Sequence, residues 1–311
     1  MTTYSEIVNA ILAALGPIVL GLLVGWGSGK TGFVKQDYTQ AFADFVVKIA
    51  LPFALFLAAA KAAPSDILNL DYMLALAAGL ILTYVIGFIA GKVIFKHDLK
   101  NSAMQALSVS FPDMAYCGPP VLLATVGASG LIAMVMGNLI YTIVIIPLTL
   151  LVIGTSQAGG FLKKLGSSIA QPLVFLPILG AVLAVSGVKL PEIVQSSVDE
   201  LGKTAGGVAL FFLGLLISTI KFKVNCEILF NVFVKNFVQG AIILGTGLLL
   251  GLESSLLKSA FLIGVLPTAT AVPALAVGNK AYEEIAAATV LLSTLVGLIS
   301  IIIGITIVDL M

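Results

Sequence analysis

Ten apolar runs, each about as long as a bilayer is thick, follow one another along this chain with little between them. They cover roughly residues 7–29, 38–60, 70–95, 102–127, 130–153, 166–187, 201–220, 227–250, 256–278 and 284–308. About 20 apolar residues carry a helix across the hydrocarbon core. There the backbone must satisfy its own hydrogen bonds, which open sheets and exposed loops cannot do. Composition closes the remaining escape. Of 311 residues, 59% are hydrophobic and 10% charged, whereas soluble domains carry about 25% charged residues. So few polar groups cannot cover a water-exposed surface. The fold expected is all-α and integral to a membrane, with ten transmembrane helices and no soluble domain.

The net charge is +1 and the sixteen basic residues are all lysine. No basic run suits nucleic acid, and two isolated cysteines, Cys117 and Cys226, give no disulfide framework and no metal spacing. His97 is the single histidine, which excludes a histidine metal site. Phosphate-binding, nucleophile-elbow and zinc-protease motifs are missing, so neither an enzyme nor a cofactor is expected. Residues 1–6 have no basic cluster that would begin a cleavable signal. Lysines mark cytoplasmic loops. Lys30 and Lys35, Lys92, Lys96 and Lys100, Lys163 and Lys164, and Lys221 and Lys223 fall on one side. The opposite-side lysines Lys61, Lys189, Lys203 and Lys258 mostly have acidic neighbours. This pattern predicts an inner (plasma) membrane protein with both termini outside.

Ten spans divide into five and five, and an odd number per half inverts one half against the other. The halves expected are residues 1–155 and 160–311. Span 1, GPIVLGLLVGWGSGKTGFVKQ, resembles span 6, LPILGAVLAVSGVKLPEIVQ, in its proline, its glycines and its exit. By the same register span 4 matches span 9, and both are interrupted. Span 4 reads Phe111-Pro112-Asp113-Met114-Ala115-Tyr116-Cys117-Gly118-Pro119-Pro120, and span 9 reads Leu266-Pro267-Thr268-Ala269-Thr270-Ala271-Val272-Pro273. Proline removes a backbone donor and breaks i→i−4 bonding, so neither helix can be continuous. Two broken helices at matching positions of inverted halves point to a binding site near the middle of the membrane. They are expected to cross there.

Asp113 is the sharpest candidate, because an ionisable group within a span marks an ion or substrate path by default. It can exchange a proton during transport, or cap the backbone N–H groups freed by the break; the two readings are compatible. Lys48 lies ten residues into span 2. It is either a counter-charge for a carboxylate or the partner of Asp44, one turn away. Asp71, at the start of span 3, is the other acid within its reach, or simply a solvated helix end. Lys235 in span 8 lies near enough to the cytoplasmic end to extend to water. Thr268, Thr270 and Asn138 are placed to donate hydrogen bonds to a bound carboxylate or to satisfy broken backbone. Met114 and Tyr116 suit packing as well as a substrate shelf, and Trp26 suits an interface anchor.

Taken together these residues resemble the auxin efflux carrier family, whose bacterial branch includes malonate and malate carriers. The resemblance rests on Ala50-Leu51-Pro52-Phe53-Ala54-Leu55-Phe56 in span 2 and on QPLVFLPILGAVLAVSGVKLPEIV with LGKTAGGVALFFLGLLIS in spans 6 and 7. It extends to Leu266-Pro267-Thr268-Ala269 at the second break and covers essentially the whole chain. It implies ten spans, a scaffold related to bile-acid sodium symporters, and substrate bound where the broken helices cross. Carried over by position, that site comprises Pro112, Asp113, Met114, Ala115, Tyr116, Cys117, Gly118, Asn138, Pro267, Thr268, Ala269 and Thr270. Lys48 and Asp71 fall at the family's basic and acidic positions and join Asp113 as coupling or support charges. The first break departs from the family's NxGFxGxPL-like pattern by carrying Asp113. The implied activity is secondary transport of a small organic anion, a malonate- or malate-type dicarboxylate, by alternating access. The runner-up substrate is an auxin-like aromatic or hydrophobic monocarboxylate. A different class remains open, an anion channel or a membrane sensor. The partners expected are the organic anion and the lipid bilayer, with proton coupling and a homodimer both open.

Overall fold

A computed structural model describes residues 4–67, 69–127, 130–153, 170–219 and 224–311, and among them all regular structure is helical. The helices are α1 (Tyr4–Thr31), α2 (Thr39–Lys61), α3 (Leu70–Ile94), α4 (Leu99–Ser110), α5 (Gly118–Thr125), α6 (130–152) and α7 (Pro172–Val185). The chain continues through α8 (Glu192–Thr219), α9 (Cys226–Leu249), α10 (Ser254–Val265), α11 (Ala271–Asn279) and α12 (Glu283–Leu310). Among the described residues five stretches, namely α2, α3, α8, α9 and residues Glu283–Val308 of α12, are long and apolar enough to cross a membrane. Their outward faces carry residues such as Leu82, Ile89, Leu249 and Ile299. A surface of this kind is stable only against lipid, so the molecule is a multi-pass membrane protein.

Helix boundaries follow local chemistry. Asn69 and Asn225 cap α3 and α9 by accepting main-chain N–H groups at 2.9 and 2.8 Å. The exposed Asp98 caps α4 in the same way, accepting from Asn101 N at 2.8 Å. That contact holds its carboxyl below the usual carboxylate range. One expectation is corrected here. The seventh span was expected to begin at 201, yet α8 begins at Glu192. The polar turn that reads as a loop stays helical, aided by Lys203 paired with Asp199 at 2.7 Å. Lys163, Lys164, Lys221 and Lys223, which set the expected orientation, lie outside the described residues.

Two close helix pairs form one side of the molecule. α1 packs along α8, and α7 packs along the second half of α2. Glycine permits the first approach, because a Cβ on Gly25 would run into the Phe211 carbonyl and one on Gly214 into that of Leu22. On the other side α3 packs on α4 and α9 packs on α10, while α3 and α9 touch each other. α2, α3, α6 and α9 each widen through one π turn, at Val46–Ala50, Ala90–Ile94, Tyr141–Ile145 and Val234–Val238. Such turns shift the register of side chains around a helix and recur at functional sites.

A polar cluster ties the helix ends together beside the start of α4. Glu227 Oε1 lies 2.6 Å from His97 Nε2 and accepts from the Tyr282 hydroxyl at 2.5 Å. Asn231 donates to that hydroxyl at 2.9 Å and accepts from Gln105 at 3.0 Å. Burial pushes the Tyr282 hydroxyl above its ordinary range, so it acts as a hydrogen donor. The cluster joins the loop before α4 to α4 itself, α9 and the α11–α12 junction.

Candidate functional site

α4 ends at Ser110 and α5 starts at Gly118; α10 ends at Val265 and α11 starts at Ala271. The two intervening segments meet antiparallel at Pro112 and Thr268. Asp113 N donates to Pro267 O and Ala269 N donates to Phe111 O, both at 2.8 Å. The reason is local: Pro112, Pro119, Pro120, Pro267 and Pro273 lack the donor a helix would use. The carbonyls and N–H groups left over then pair across the gap. Thr268 closes the junction from within. Its Oγ1 donates to Ser108 O at 2.9 Å, and its N–H donates to Ser293 Oγ at 2.8 Å.

Against this crossing lies a cavity of about 1110 Å³. Pro112, Asp113, Met114, Ala115, Tyr116, Asn138, Ala269 and Thr270 line it, and Cys117, Gly118, Pro267 and Thr268 do not. Its wall also includes Asp37 just before α2, Thr39, Gln40 and Asp44 from the start of α2, Gln171 just before α7, and Asn279 at the end of α11. The cavity therefore runs from the crossing towards one end of the bundle. Phe111 stacks on Tyr141 at 3.8 Å and Tyr116 tilts on Phe212 at 4.6 Å, giving two aromatic faces.

Three buried polar atoms of this wall make no hydrogen bond among the described residues: Asp113 Oδ2, Asn138 Nδ2 and Thr39 Oγ1. The other Asp113 oxygen accepts from Tyr116 N at 3.2 Å. Burying an unpaired polar group costs on the order of 1–3 kcal/mol. All three belong to residues that line the one cavity. Asp113 is fully buried, so its carboxylate stays charged only where a cation or donors balance it. The acids Asp37, Asp44 and Asp113 reach the wall, and among the described residues no lysine does.

Lys48 is exposed and salt-bridged to Asp44 at 2.7 Å; it stands behind the wall and touches it only through that acid. Asp71 is exposed at the start of α3, outside the cavity lining. Lys235 requires a correction. Instead of reaching water it is fully buried, and its ammonium donates to Leu266 O at 2.6 Å and to Gly264 O at 3.3 Å. The receiving carbonyls lie about 30 residues further along, where a reading of span 8 alone does not look. Thr39, Gln40, Asp44 and Gln171 were likewise not anticipated. Their only sequence signal is a polar residue just inside a span entrance.

The arrangement defines a membrane protein with an internal cavity beside two non-helical segments, 111–117 and 266–270, that meet antiparallel. A family model described as "Membrane transport protein" matches residues 10–305, and the chain belongs to that family. Similar proteins include the "Uncharacterized transporter YfdV" of Escherichia coli K12, 28% identical over 263 residues covering 81% of this chain and 83% of the relative. A "Putative malonate transporter" of Rhizobium meliloti is 24% identical over 305 residues, covering 94% and 92%. The "Uncharacterized transporter MJ1031" of Methanocaldococcus jannaschii is 25% identical over 234 residues, covering 70% and 72%. The chain is thus a transporter by family.

Proposed function

We propose that this transporter is a secondary carrier of a small organic anion, a malonate- or malate-type dicarboxylate. It works by alternating access around the crossing of 111–117 and 266–270. The observation that carries the site is that Asp113, Asn138 and Thr39, each with one buried side-chain atom left without a partner among the described residues, line one cavity. Asn138 and Thr39 supply donors for a carboxylate, joined by Thr270 and by the N-terminal ends of α5 and α11, where helix dipoles favour anions. Asp113 is the group that takes up a proton. An acidic wall repels an anion unless protons accompany it, which favours proton coupling over a bare anion. The relative named for malonate supports the substrate class.

The chain reads as ten spans in two inverted halves, 1–155 and 160–311, with α4–α5 and α10–α11 as the interrupted pair at mid-membrane. Helix pairing supports this. An inversion that exchanges spans 1 and 6 and spans 2 and 7 turns the α1–α8 contact into the α7–α2 contact, and these are the two close pairs observed. With lysine-rich loops inside and both termini outside, the cavity faces the cytoplasm of an inner (plasma) membrane.

The aromatic faces of Phe111, Tyr141, Tyr116 and Phe212 favour a second reading, an aromatic monocarboxylate of the auxin type. Uptake of labelled malonate, malate and indole-3-acetate into proteoliposomes, with and without an imposed pH gradient, decides between them. Saturable malonate or malate uptake that collapses with a protonophore supports the first reading, and uptake of indole-3-acetate alone supports the second. No saturable flux of any of the three, or ionic current at channel rates, contradicts both.

A further inference from the structure

The interrupted helix α10 ends on carbonyls that have no partner within the helix, and the negative end of its dipole points there. In transporters built on broken helices, carbonyls of this kind commonly coordinate a dissociable cation. Here they already hold one that belongs to the chain. Lys235 Nζ donates to Leu266 O at 2.6 Å and to Gly264 O at 3.3 Å, and Ser300 Oγ donates to Val265 O at 2.8 Å. One turn beyond Lys235, Gln239 Nε2 donates to Ser110 O at 2.7 Å, the last carbonyl of α4. Helix α9 therefore braces the ends of both interrupted helices, and Lys235 stands in its π turn.

The next peptide along from Leu266 binds Asp113. Pro267 O accepts from Asp113 N at 2.8 Å, so the Lys235 ammonium and the Asp113 main-chain N–H hold neighbouring carbonyls of one short segment. Both side chains are fully buried. The groups facing Asp113 are the main chain and thiol of Cys117, the N–H groups of Ala115 and Tyr116, and the Tyr116 ring. The field of Asp113 reaches Lys235. A buried charge survives only when balanced and hydrogen-bonded. Both residues bond to the shared segment, Lys235 through its ammonium and Asp113 through its main-chain N–H, and their charges are opposite.

We propose that Lys235 is a tethered cation, a positioning residue that holds the end of α10 and balances Asp113 across the crossing. It takes the place that a dissociable metal cation would fill, so the charge state of Asp113 is felt by the second interrupted helix through the segment they share. A proton arriving on Asp113 leaves Lys235 uncompensated and weakens the crossing. This rests on Asp113 being the ionisable group of the site, and on no particular substrate.

The test needs no substrate. Thermal unfolding of detergent-purified full-length protein is followed from pH 5 to pH 9 for wild type, Lys235→Met, Asp113→Asn and the double variant. Lys235→Met should lower Tm at pH 7.5 by roughly 5 °C or more, because the acid is left buried and unpaired. Most of that loss should return at pH 5 or when Asp113→Asn is added. Malonate uptake can then fail without touching this result. Equal Tm losses from Lys235→Met in the wild-type and Asp113→Asn backgrounds, at every pH, overturn the proposal and leave Lys235 a carbonyl clamp. If Lys235→Met yields no folded protein, its recovery in the double variant supports the proposal. Failure of both, with an Asp113→Asn profile parallel to wild type across the range, overturns it.

Discussion

The two interruptions lie against each other through the same pair of backbone hydrogen bonds, yet they are furnished differently. Segment 111–117 carries a carboxylate with one unpartnered oxygen and two aromatic rings facing the cavity. Segment 266–270 carries no charge of its own. Its threonine at 268 is spent on Ser108 O and Ser293 Oγ, and its charge comes from Lys235 on a different helix. One shared backbone contact thus coexists with a division of labour. The first segment presents chemistry to the cavity and the second is braced from behind. The helices leading in differ likewise: α4 has a side-chain cap at Asp98, while α10 follows Glu253 with none.

That contrast breaks most visibly at Asp113. Asp113→Asn keeps the shape of the first segment and removes its charge. Proteoliposome uptake should fall about 10- to 100-fold and lose its dependence on an imposed pH gradient. An unchanged pH profile would return Asp113 to a capping role and make the two segments equivalent. Next come the donors of the wall. Asn138→Leu and Thr39→Val should each weaken apparent affinity roughly tenfold, the effect of one lost hydrogen bond to an anion. Maximal rate should change little, so concentration series separate these from Asp113→Asn.

The second segment should respond in stability instead. Thr268→Val removes the bond to Ser108 O and leaves a buried carbonyl short of a partner. It should cost about 1–2 kcal/mol in unfolding experiments, with apparent affinity held near wild type. Smallest is the helix cap. Asp98→Ala should cost about 0.5–1 kcal/mol. The Asn101 N–H group holds the folded-state carboxyl below its unfolded value. The cap's contribution is therefore complete above about pH 4 and is lost as pH falls through the lower folded value. Wild type and variant should converge in acid.

Much of the helical, membrane-embedded class was legible from the apolar runs, because lipid leaves the backbone few alternatives. The ends of α4 and α10 were equally legible, since proline chemistry is local: Ser110 and Val265 are the last helical residues before Pro112 and Pro267. What escaped depends on distant parts of the chain meeting. Thr39, Gln40 and Asp44 look like a span entrance until α2 is set beside the crossing. Lys235 looks like a lysine close to water until the carbonyls of Gly264 and Leu266 come to it. Lys48 shows the opposite case, a lysine deep in a span whose partner is only its neighbour one turn away.

The central claim is that substrate sits against the first segment. Alkylation of Ala115→Cys, in a background carrying Cys117→Ala and Cys226→Ser, measures this directly. Malonate or malate at saturating concentration should slow the modification several-fold, while Leu249→Cys, exposed at the end of α9, stays unaffected. Uptake that proceeds with no protection at Ala115→Cys would place the substrate elsewhere and contradict the account.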